Sequence, residues 1–539
     1  MTEQTVAQLL MKTLAGAGCP RGFGVPGGGS SLDLIAAGEA NRMPFILTRT
    51  EAGGIMMAAA TAEMTGAPGF ALTTKGPGTA NGANGVAYAS LDRAPTVVAT
   101  DGFSPAISAY VTHQYFDQKT MYAPVVKGHS LLTGDHPGAE ITALLQAAYT
   151  PPLGPVHVEL TSPAGKRVTS DQLDGAALRV TEPGETPEGG AISRATELLA
   201  RARRPVVVAG VDARSPAAAA ATLKLLEKLG CPGFVTYKAK GVIPDNHPLY
   251  GGIFTGGVAE KAIIDKADLI VLAGLDPVEL ILQPWPHAQP VVDLALRKWD
   301  PHYTTPEARV TGRIGEMIDA VAEGLSAGSD WQQPGIAEDR AAMRRRIAFP
   351  GNEPLNPQSI VERAWSATGG IPRVTVDAGA HMFSATAFWE VARPNDILIS
   401  NGLATMALAL PAGIAAALQD PQRGAVALTG DGGLMMCAGE LATAVQYNAN
   451  LLVVVFNDSA LSLIDMKQRS RQMDRSGVAF AGTDFAAVAR GFGLQAWKAE
   501  TIAEYNAALE AATATTGPRL IDARFDPSGY AGQLKGMRG

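Results

Sequence analysis

The sequence predicts an α/β protein made of three doubly wound parallel-sheet domains. Short apolar runs such as Ala425 to Thr429 and Leu451 to Phe456 alternate with segments of helical period. Those runs end at turns rich in glycine and carboxylates, the place where open α/β sheets keep their ligands. At 539 residues the chain exceeds one hydrophobic core. Two polar stretches, Val168 to Ile192 and Gly328 to Pro357, divide it into expected domains 1–180, 190–330 and 355–539.

Composition narrows the function classes. A net charge of −7 argues against nucleic acid and anionic membrane as partners. Cys19, Cys231 and Cys437 are scattered, forming neither a disulfide framework nor a metal cluster, which suits a reducing compartment. No apolar stretch reaches the roughly 18 to 20 residues that span a bilayer, and Met1 to Met11 lacks the basic start of a signal peptide. A soluble, cytoplasmic protein acting on small molecules is expected.

In the first domain, Thr5 to Ala17 has helical period through Val6, Leu9, Leu10 and Leu14. The following Gly22-Phe23-Gly24-Val25-Pro26-Gly27-Gly28-Gly29-Ser30 contains a formal GxGxxG. A dinucleotide reading fails, because that fingerprint follows a strand and here Phe23 to Val25 is itself the strand. The glycines instead let backbone lie close to a flat ligand or substrate. Pro44 to Thr48 forms a strand that ends at Arg49-Thr50-Glu51, before a small-residue helix from Ile55 to Met64. Glu51 is either a partner of the helix dipole or catalytic. Ala71 to Thr74 and Pro95 to Thr100 are further strands, the first leading into Gly76-Pro77-Gly78.

In the middle domain, helices at Ile192 to Ala202 and Ala217 to Leu229 alternate with strands at Pro205 to Ala209, Gly233 to Thr236 and Leu269 to Ala273. A charged helix, Ala337 to Arg346, lies in the second linker. The third domain opens with Val374 to Val376, which runs into Asp377-Ala378-Gly379-Ala380-His381. Its centre is Gly430 to Gln468: a strand, the turn Gly430-Asp431-Gly432-Gly433, a helix from Leu434 to Tyr447 with Met435, Ala438, Leu441, Ala442 and Val445 on one face, and a second strand ending at Asn457. Asp431 and Asn457 thus come from the carboxyl ends of neighbouring strands. Such oxygen donors suit Mg²⁺ with phosphate and water completing its shell. Asp431, Asn457 and Ser459 form the expected metal set, with Gly430, Gly432 and Gly433 leaving room for a diphosphate at a helix N-terminus. The glycine-rich, basic Ser528 to Gly539 reads as a mobile tail, or else a lid.

Twenty-four residues separate Gly432 from Asn457, a spacing that resembles the thiamine-diphosphate signature, with Asp458 in place of its second Asn. The resemblance extends along the chain to acetolactate synthase and its relatives, benzaldehyde lyase and oxalyl-CoA decarboxylase among them. Phe23 to Ser30 is similar to the synthase Phe-Gly-Tyr-Pro-Gly-Gly-Ala-Ser, with Gly29 where benzaldehyde lyase carries a histidine. His113-Gln114, with Lys127 thirteen positions after Gln114, resembles Phe-Gln-Glu…Thr-Lys. Ala380-His381 matches a Gln-His pair on the diphosphate, and Asn401 to Met406 resembles Gly-Gly-Leu-Gly-Thr-Met. The domains are accordingly pyrimidine-binding, central and diphosphate-binding.

The resemblance implies roles for these residues. Glu51 would hydrogen-bond N1′ of the aminopyrimidine, and Gly76 and Pro26 would lie by that ring. Met406 would bend the cofactor into a V, while the Ala404 carbonyl holds its 4′-amino group and Leu461 adds to the same pocket. Gln114, His113, Gly28 and Lys467 are the catalytic candidates on the substrate side, Lys467 standing at the synthase's acceptor-selecting Trp. FAD is not expected, since Gly274 to Leu280 lacks both arginines of the synthases' flavin segment. A homodimer or homotetramer with active sites between subunits is implied.

The expected activity is C–C bond cleavage and formation on a 2-oxo acid or similar carbonyl, in the manner of an acetolactate-synthase-like carboligase. Simple decarboxylation is the alternative. Ala380, Asp458 and Lys467 keep open a third reading, a cofactor-binding but inactive regulatory paralogue.

Overall fold

The alternation of apolar strands and helices yields three parallel six-stranded sheets in the computed structural model, which describes residues 3–281, 284–300, 302–350 and 355–539. The first holds β1 (Gly22–Val25), β2 (Phe45–Leu47), β3 (Gly69–Thr73), β4 (Thr96–Asp101), β5 (His129–Leu132) and β6 (Val156–Leu160), in the order β2-β1-β3-β4-β6-β5. The second holds β7 (Pro205–Ala209), β8 (Gly233–Val235), β9 (Tyr250–Ile253), β10 (Leu269–Ala273), β11 (Val291–Ala295) and β12 (Ala308–Thr311), in the order β9-β8-β7-β10-β11-β12. The third holds β13 (Arg373–Val376), β14 (Ile397–Ile399), β15 (Ala425–Gly430), β16 (Leu451–Asn457), β17 (Gln495–Ala499) and β18 (Pro518–Arg524), in the order β14-β13-β15-β16-β18-β17.

Central strands such as β4, β7 and β10 are buried along their whole length, as a parallel sheet covered on both faces requires. Strand order reverses between β1 and β3, between β7 and β10, and between β13 and β15. The crevice at the carboxyl ends of such pairs is the natural ligand site.

The chain forms two compact units. One comprises the residues up to Thr181 with Leu410–Gly424 and Met435–Leu451; the other comprises Glu182–Ala409, Ala425–Leu434 and Leu452–Gly539. In the first unit, α1 (Val6–Gly16) begins at a capping box of Thr5 and Gln8 and buries Val6, Leu9, Leu10 and Leu14 against Phe70, Leu72 and Val97. The helices α2 (Glu51–Thr65), α3 (Pro77–Leu91) and α4 (Gln118–Tyr122) follow. The first polar stretch is partly ordered: Val168–Thr169 pairs antiparallel with Gln4–Thr5. In the second unit the charged helix of the second linker is α5 (Gln333–Arg346), and residues 351–354 of that linker lie outside the described residues.

Two expectations are corrected. The single helix expected from Leu434 to Tyr447 is two, α6 (Asp431–Cys437) and α7 (Glu440–Gln446). Leu434, Cys437, Leu441 and Ala444 are buried while Met435 is exposed, and Glu440 is buried beside Leu441 with its carboxylate accepting from the Arg49 and Thr50 amides. After α8 (Ser462–Ser470), the expected tail is α9 (Tyr530–Arg538). It buries Tyr530, Gln533 and Met537, and Gln533 bonds Ser384 and the Ile347 carbonyl. Among the described residues no helix is long and apolar enough to cross a membrane.

Candidate functional site

In the first unit the turn after β1 is held by Asp101, the buried last residue of β4. Its Oδ1 accepts from the Ser30 hydroxyl (2.8 Å), the Ser31 amide (2.9 Å) and the Ser31 hydroxyl (3.1 Å). A Cβ on Gly27 would lie 2.2 Å from Asp101 Oδ2 and 2.4 Å from Thr74 Oγ1, whereas one on Gly28 would meet nothing within 4 Å. Gly27→Ala is therefore expected to cost about 1–3 kcal/mol of stability, and the exposed Gly28→Ala to stay within about 0.5 kcal/mol; denaturant unfolding of the two variants checks this. Pro26 sits beside them, half-buried.

The turn after β3 needs glycine at Gly76, which has φ +66° and whose Cβ would lie 2.5 Å from the Gln114 carbonyl. The Gly76 amide donates to Gln118 Oε1 (3.1 Å). Glu51 is the first residue of α2, after Thr50, whose hydroxyl accepts from the Gly53 amide. Glu440 braces this start, accepting from the Arg49 and Thr50 amides (3.0 and 2.9 Å) and from the Thr50 hydroxyl. Burial pushes the Glu440 carboxyl above its usual range. Asn81 Nδ2 donates to Glu51 Oε2. His113 and Gln114 are exposed, Gln114 in a left-handed conformation (φ +58°). The buried glutamine of this region is Gln118, which sequence reasoning did not single out.

In the second unit, a cavity of about 190 Å³ opens where β13 and β15 diverge. Ala380, His381, Ala404 and Met406 line it together with Gly430, Asp431, Gly432, Gly433 and Leu461. Asp377, at the end of β13, shapes one wall. Its carboxylate accepts from the Leu408 and Ala409 amides (2.7 and 2.6 Å) and the Thr429 hydroxyl (2.6 Å). The segment it anchors holds Ala404 and Ala407 in left-handed conformations (φ +54° and +67°), strain of the kind found at ligand sites. A Cβ on Gly432 would lie 3.2 Å from both Met406 Cε and Leu461 Cδ2, so these two side chains converge there.

The electrostatics of the cavity point to a charged occupant. Asp431 Oδ1 accepts from the Gly432 amide (2.7 Å), while the buried Oδ2 has no hydrogen-bond partner among the described residues. Burial, with the charge of Asp458 nearby, pushes the Asp431 carboxyl up to about 7; burial pushes Asp458 up to about 6. His381 stacks on Phe456, its rings 5.0 Å apart, and its buried Nε2 is likewise without a partner. Burial lowers the imidazole to about 4, so it is neutral at pH 7. Two carboxylates lining one cavity, with the Asp431 Oδ2 oxygen open among the described residues, fit a hard divalent cation, and the His381 Nε2 nitrogen fits a polar ligand beside it.

Of the expected metal set, Asp431 lines the cavity. Asn457 and Ser459 do not line the cavity; Asp458 and Ala460 do. The Asn457 amide nitrogen donates to Asp522 Oδ1 (2.8 Å) and the Thr483 carbonyl (3.1 Å), and its oxygen faces the Ser459 hydroxyl. Side chains alternate along a strand, so when Asn457 turns toward the neighbouring β18 the next residue faces the cavity. Lys467 is exposed on α8, one turn beyond the cavity-lining Ile464, and does not line the cavity. Tyr530 of α9 does line it, a contribution invisible in a segment that reads as a tail.

The third switch point, in the central sheet, is closed by the chain itself. Glu279 accepts from the Val211 amide (2.8 Å), the Asp276 amide (3.3 Å) and the Thr236 hydroxyl (2.5 Å), and burial pushes its carboxyl up to about 7. A Cβ on Gly210 would lie 2.4 Å from Leu275 Cα, so backbone packs against backbone there.

Comparison with known proteins identifies the three domains. Residues 4–121 match the N-terminal TPP binding domain of thiamine pyrophosphate enzymes, 192–321 their central domain and 377–523 their C-terminal TPP binding domain. The chain is 28% identical to the catabolic acetolactate synthase of Raoultella terrigena over 538 residues, 96% of this chain and 94% of that one. It is 28% identical to a probable 2-ketoarginine decarboxylase of Pseudomonas aeruginosa (96% and 94%) and 27% identical to the pyruvate oxidase of Lactiplantibacillus plantarum (97% and 89%). With three parallel sheets, and all three domain types matched in order, the chain belongs to the thiamine pyrophosphate enzymes.

Proposed function

We propose that the protein is a Mg²⁺- and thiamine-diphosphate-dependent carboligase that cleaves and forms C–C bonds on a 2-oxo acid or similar carbonyl donor, in the manner of acetolactate synthase. The observation that carries this is the cavity between β13 and β15, where Asp431 Oδ2 and His381 Nε2 are both buried without hydrogen-bond partners among the described residues. Asp431 and Asp458 would hold the cation, His381 and the backbone of Gly432 and Gly433 the diphosphate, and Met406 with Leu461 the middle of the cofactor. When bound, the cofactor supplies an electron sink for the carbanion left by bond cleavage. Glu51 would hold a proton at the pyrimidine nitrogen, braced by Glu440 through Thr50. Asp377 fixes the Ala404–Met406 wall, and Tyr530 closes one side against water. Gln114 and His113 would orient the acceptor carbonyl, and Gly28 would leave room for it. The active form is expected to be a homodimer or homotetramer in the cytoplasm, a setting that suits three buried cysteines that form no disulfide.

The similarity to a 2-ketoarginine decarboxylase, together with Lys467 at the synthases' acceptor-selecting tryptophan, favours one second reading: simple 2-oxo acid decarboxylation. An assay with thiamine diphosphate and Mg²⁺ decides, offering pyruvate alone, then pyruvate with an aldehyde or ketone, then longer 2-oxo acids, with products read by NMR. A 2-hydroxy ketone or acetolactate supports the carboligase. Aldehyde and CO₂ alone support the decarboxylase.

We infer that the central domain takes no flavin. The Val211 and Asp276 amides at its switch point already donate to Glu279, an arrangement that disfavours a phosphate there. The purified protein is expected to show no flavin absorption, and added FAD is expected to leave its thermal midpoint unchanged.

A further inference from the structure

Helix α3 lies against the start of α2 and presents three residues to Glu51. A Cβ on Gly78 would lie 3.3 Å from Glu51 Oε1 and one on Gly82 would lie 3.9 Å from Glu51 Cβ. Between them, Asn81 Nδ2 donates to Glu51 Oε2 at 2.5 Å. The glycines keep the approach open, and the single side chain on this face is a hydrogen-bond donor.

The helix carrying that donor is fixed at its own start. Gln118 is buried, and its Oε1 accepts from the Gly76 amide and from the Thr79 hydroxyl. Its Nε2 donates to the Asp101 carbonyl (3.2 Å) and to Glu159 Oε2 (3.0 Å). The Tyr122 hydroxyl donates to the Thr79 carbonyl (2.6 Å). Gln118 and Tyr122 thus anchor the first turn of α3, and Asn81 stands one turn on. A side chain held by a rigid neighbouring element orients its partner more narrowly than one on a free loop.

We propose that Asn81 is the positioning residue of Glu51: its side-chain amide holds the carboxylate in the orientation in which it meets the cofactor. The proposal rests on the reading of Glu51 as the group that meets the pyrimidine. Asn81 is exposed and sits near the start of a helix, where substitution leaves the fold intact.

The test is a double-mutant cycle between Glu51→Gln and Asn81→Leu, which keeps the size of the side chain and removes its donor. Asn81→Gln, which restores a donor, serves as the rescue variant. Turnover is measured at saturating cofactor, and thiamine-diphosphate affinity with Mg²⁺ is measured by calorimetry. Asn81→Leu is expected to lower turnover by about tenfold or more and to weaken cofactor binding, with substrate KM changed little and Asn81→Gln recovering most of the loss. In the Glu51→Gln background, Asn81→Leu should have no further effect on either quantity, because a positioning residue acts only through its partner. Losses that multiply across the two sites would overturn the proposal, as would an Asn81→Leu variant with wild-type turnover and affinity. A fully active Glu51→Gln enzyme would overturn the reading of Glu51 and the proposal with it, a result distinct from an inactive Glu51→Gln beside a silent Asn81→Leu.

Discussion

Replacing Glu51 by Gln is expected to lower turnover by about two to four orders of magnitude, the range that a positioned proton-transfer group supplies, while the protein folds as before. The structure supports the second half of that expectation. Glu51 is half-buried at the first position of α2, and the helix start is secured by other groups: Thr50 caps it, and Glu440 binds the Arg49 and Thr50 amides. Gln is close to Glu in size and keeps one oxygen to accept from Asn81. Thermal midpoints of the two proteins should therefore agree within a few degrees, and the loss should fall on turnover. A variant that keeps a tenth or more of wild-type turnover would remove Glu51 from the chemistry. Glu440→Gln gives the contrast, because its buried carboxylate accepts from two amides and two hydroxyls, and a Gln nitrogen would face donors there. That change should lower stability first, by about 1–3 kcal/mol for an unsatisfied buried group, and activity only as a consequence.

The sequence disclosed the switch-point loops well, and for a physical reason. A strand that must end beside a ligand finishes in glycine and a carboxylate, so Gly76, Asp431, Gly432 and Gly433 stand out against the apolar runs before them. Strands such as Pro205–Ala209 and Leu269–Ala273 were legible because strands buried on both faces are continuously apolar. What the residue pattern did not carry was the direction of single side chains. Asn457 matches an asparagine signature by residue type, yet the pleat turns it toward Asp522 and offers Asp458 to the cavity. Gln114 holds the expected place in its motif, but the buried polar contacts belong to Gln118, four residues on. The last segment reads as a tail because it is rich in glycine and bases. Its order comes from partners far away in sequence, Ile347 and Ser384, which no local pattern announces.

The second large effect concerns the cation. Asp431→Asn is expected to abolish the stabilisation that Mg²⁺ and thiamine diphosphate give the wild type, which for a ligand at 100 times its Kd is about 2.7 kcal/mol. The same change should leave the cofactor-free protein as stable as before, or more so. Asp431 is buried beside a second carboxylate with one oxygen unpartnered, an arrangement that costs stability until a cation arrives. The signature is thus an inversion: no loss without ligand, and a large loss with it. Thermal unfolding with and without Mg²⁺ and cofactor, repeated after chelation, measures both arms. Asp458→Asn should reduce the ligand-induced gain as well, since that carboxylate faces the same cavity. Asn457→Ala should behave differently, because its amide ties β16 to Asp522 of β18 and to the Thr483 carbonyl. Its thermal midpoint should fall by the same amount with and without Mg²⁺. If instead Asn457→Ala removes the Mg²⁺-dependent gain and Asp458→Asn keeps it, the cation belongs to Asn457, and the side-chain order at the end of β16 is the reverse of the one described.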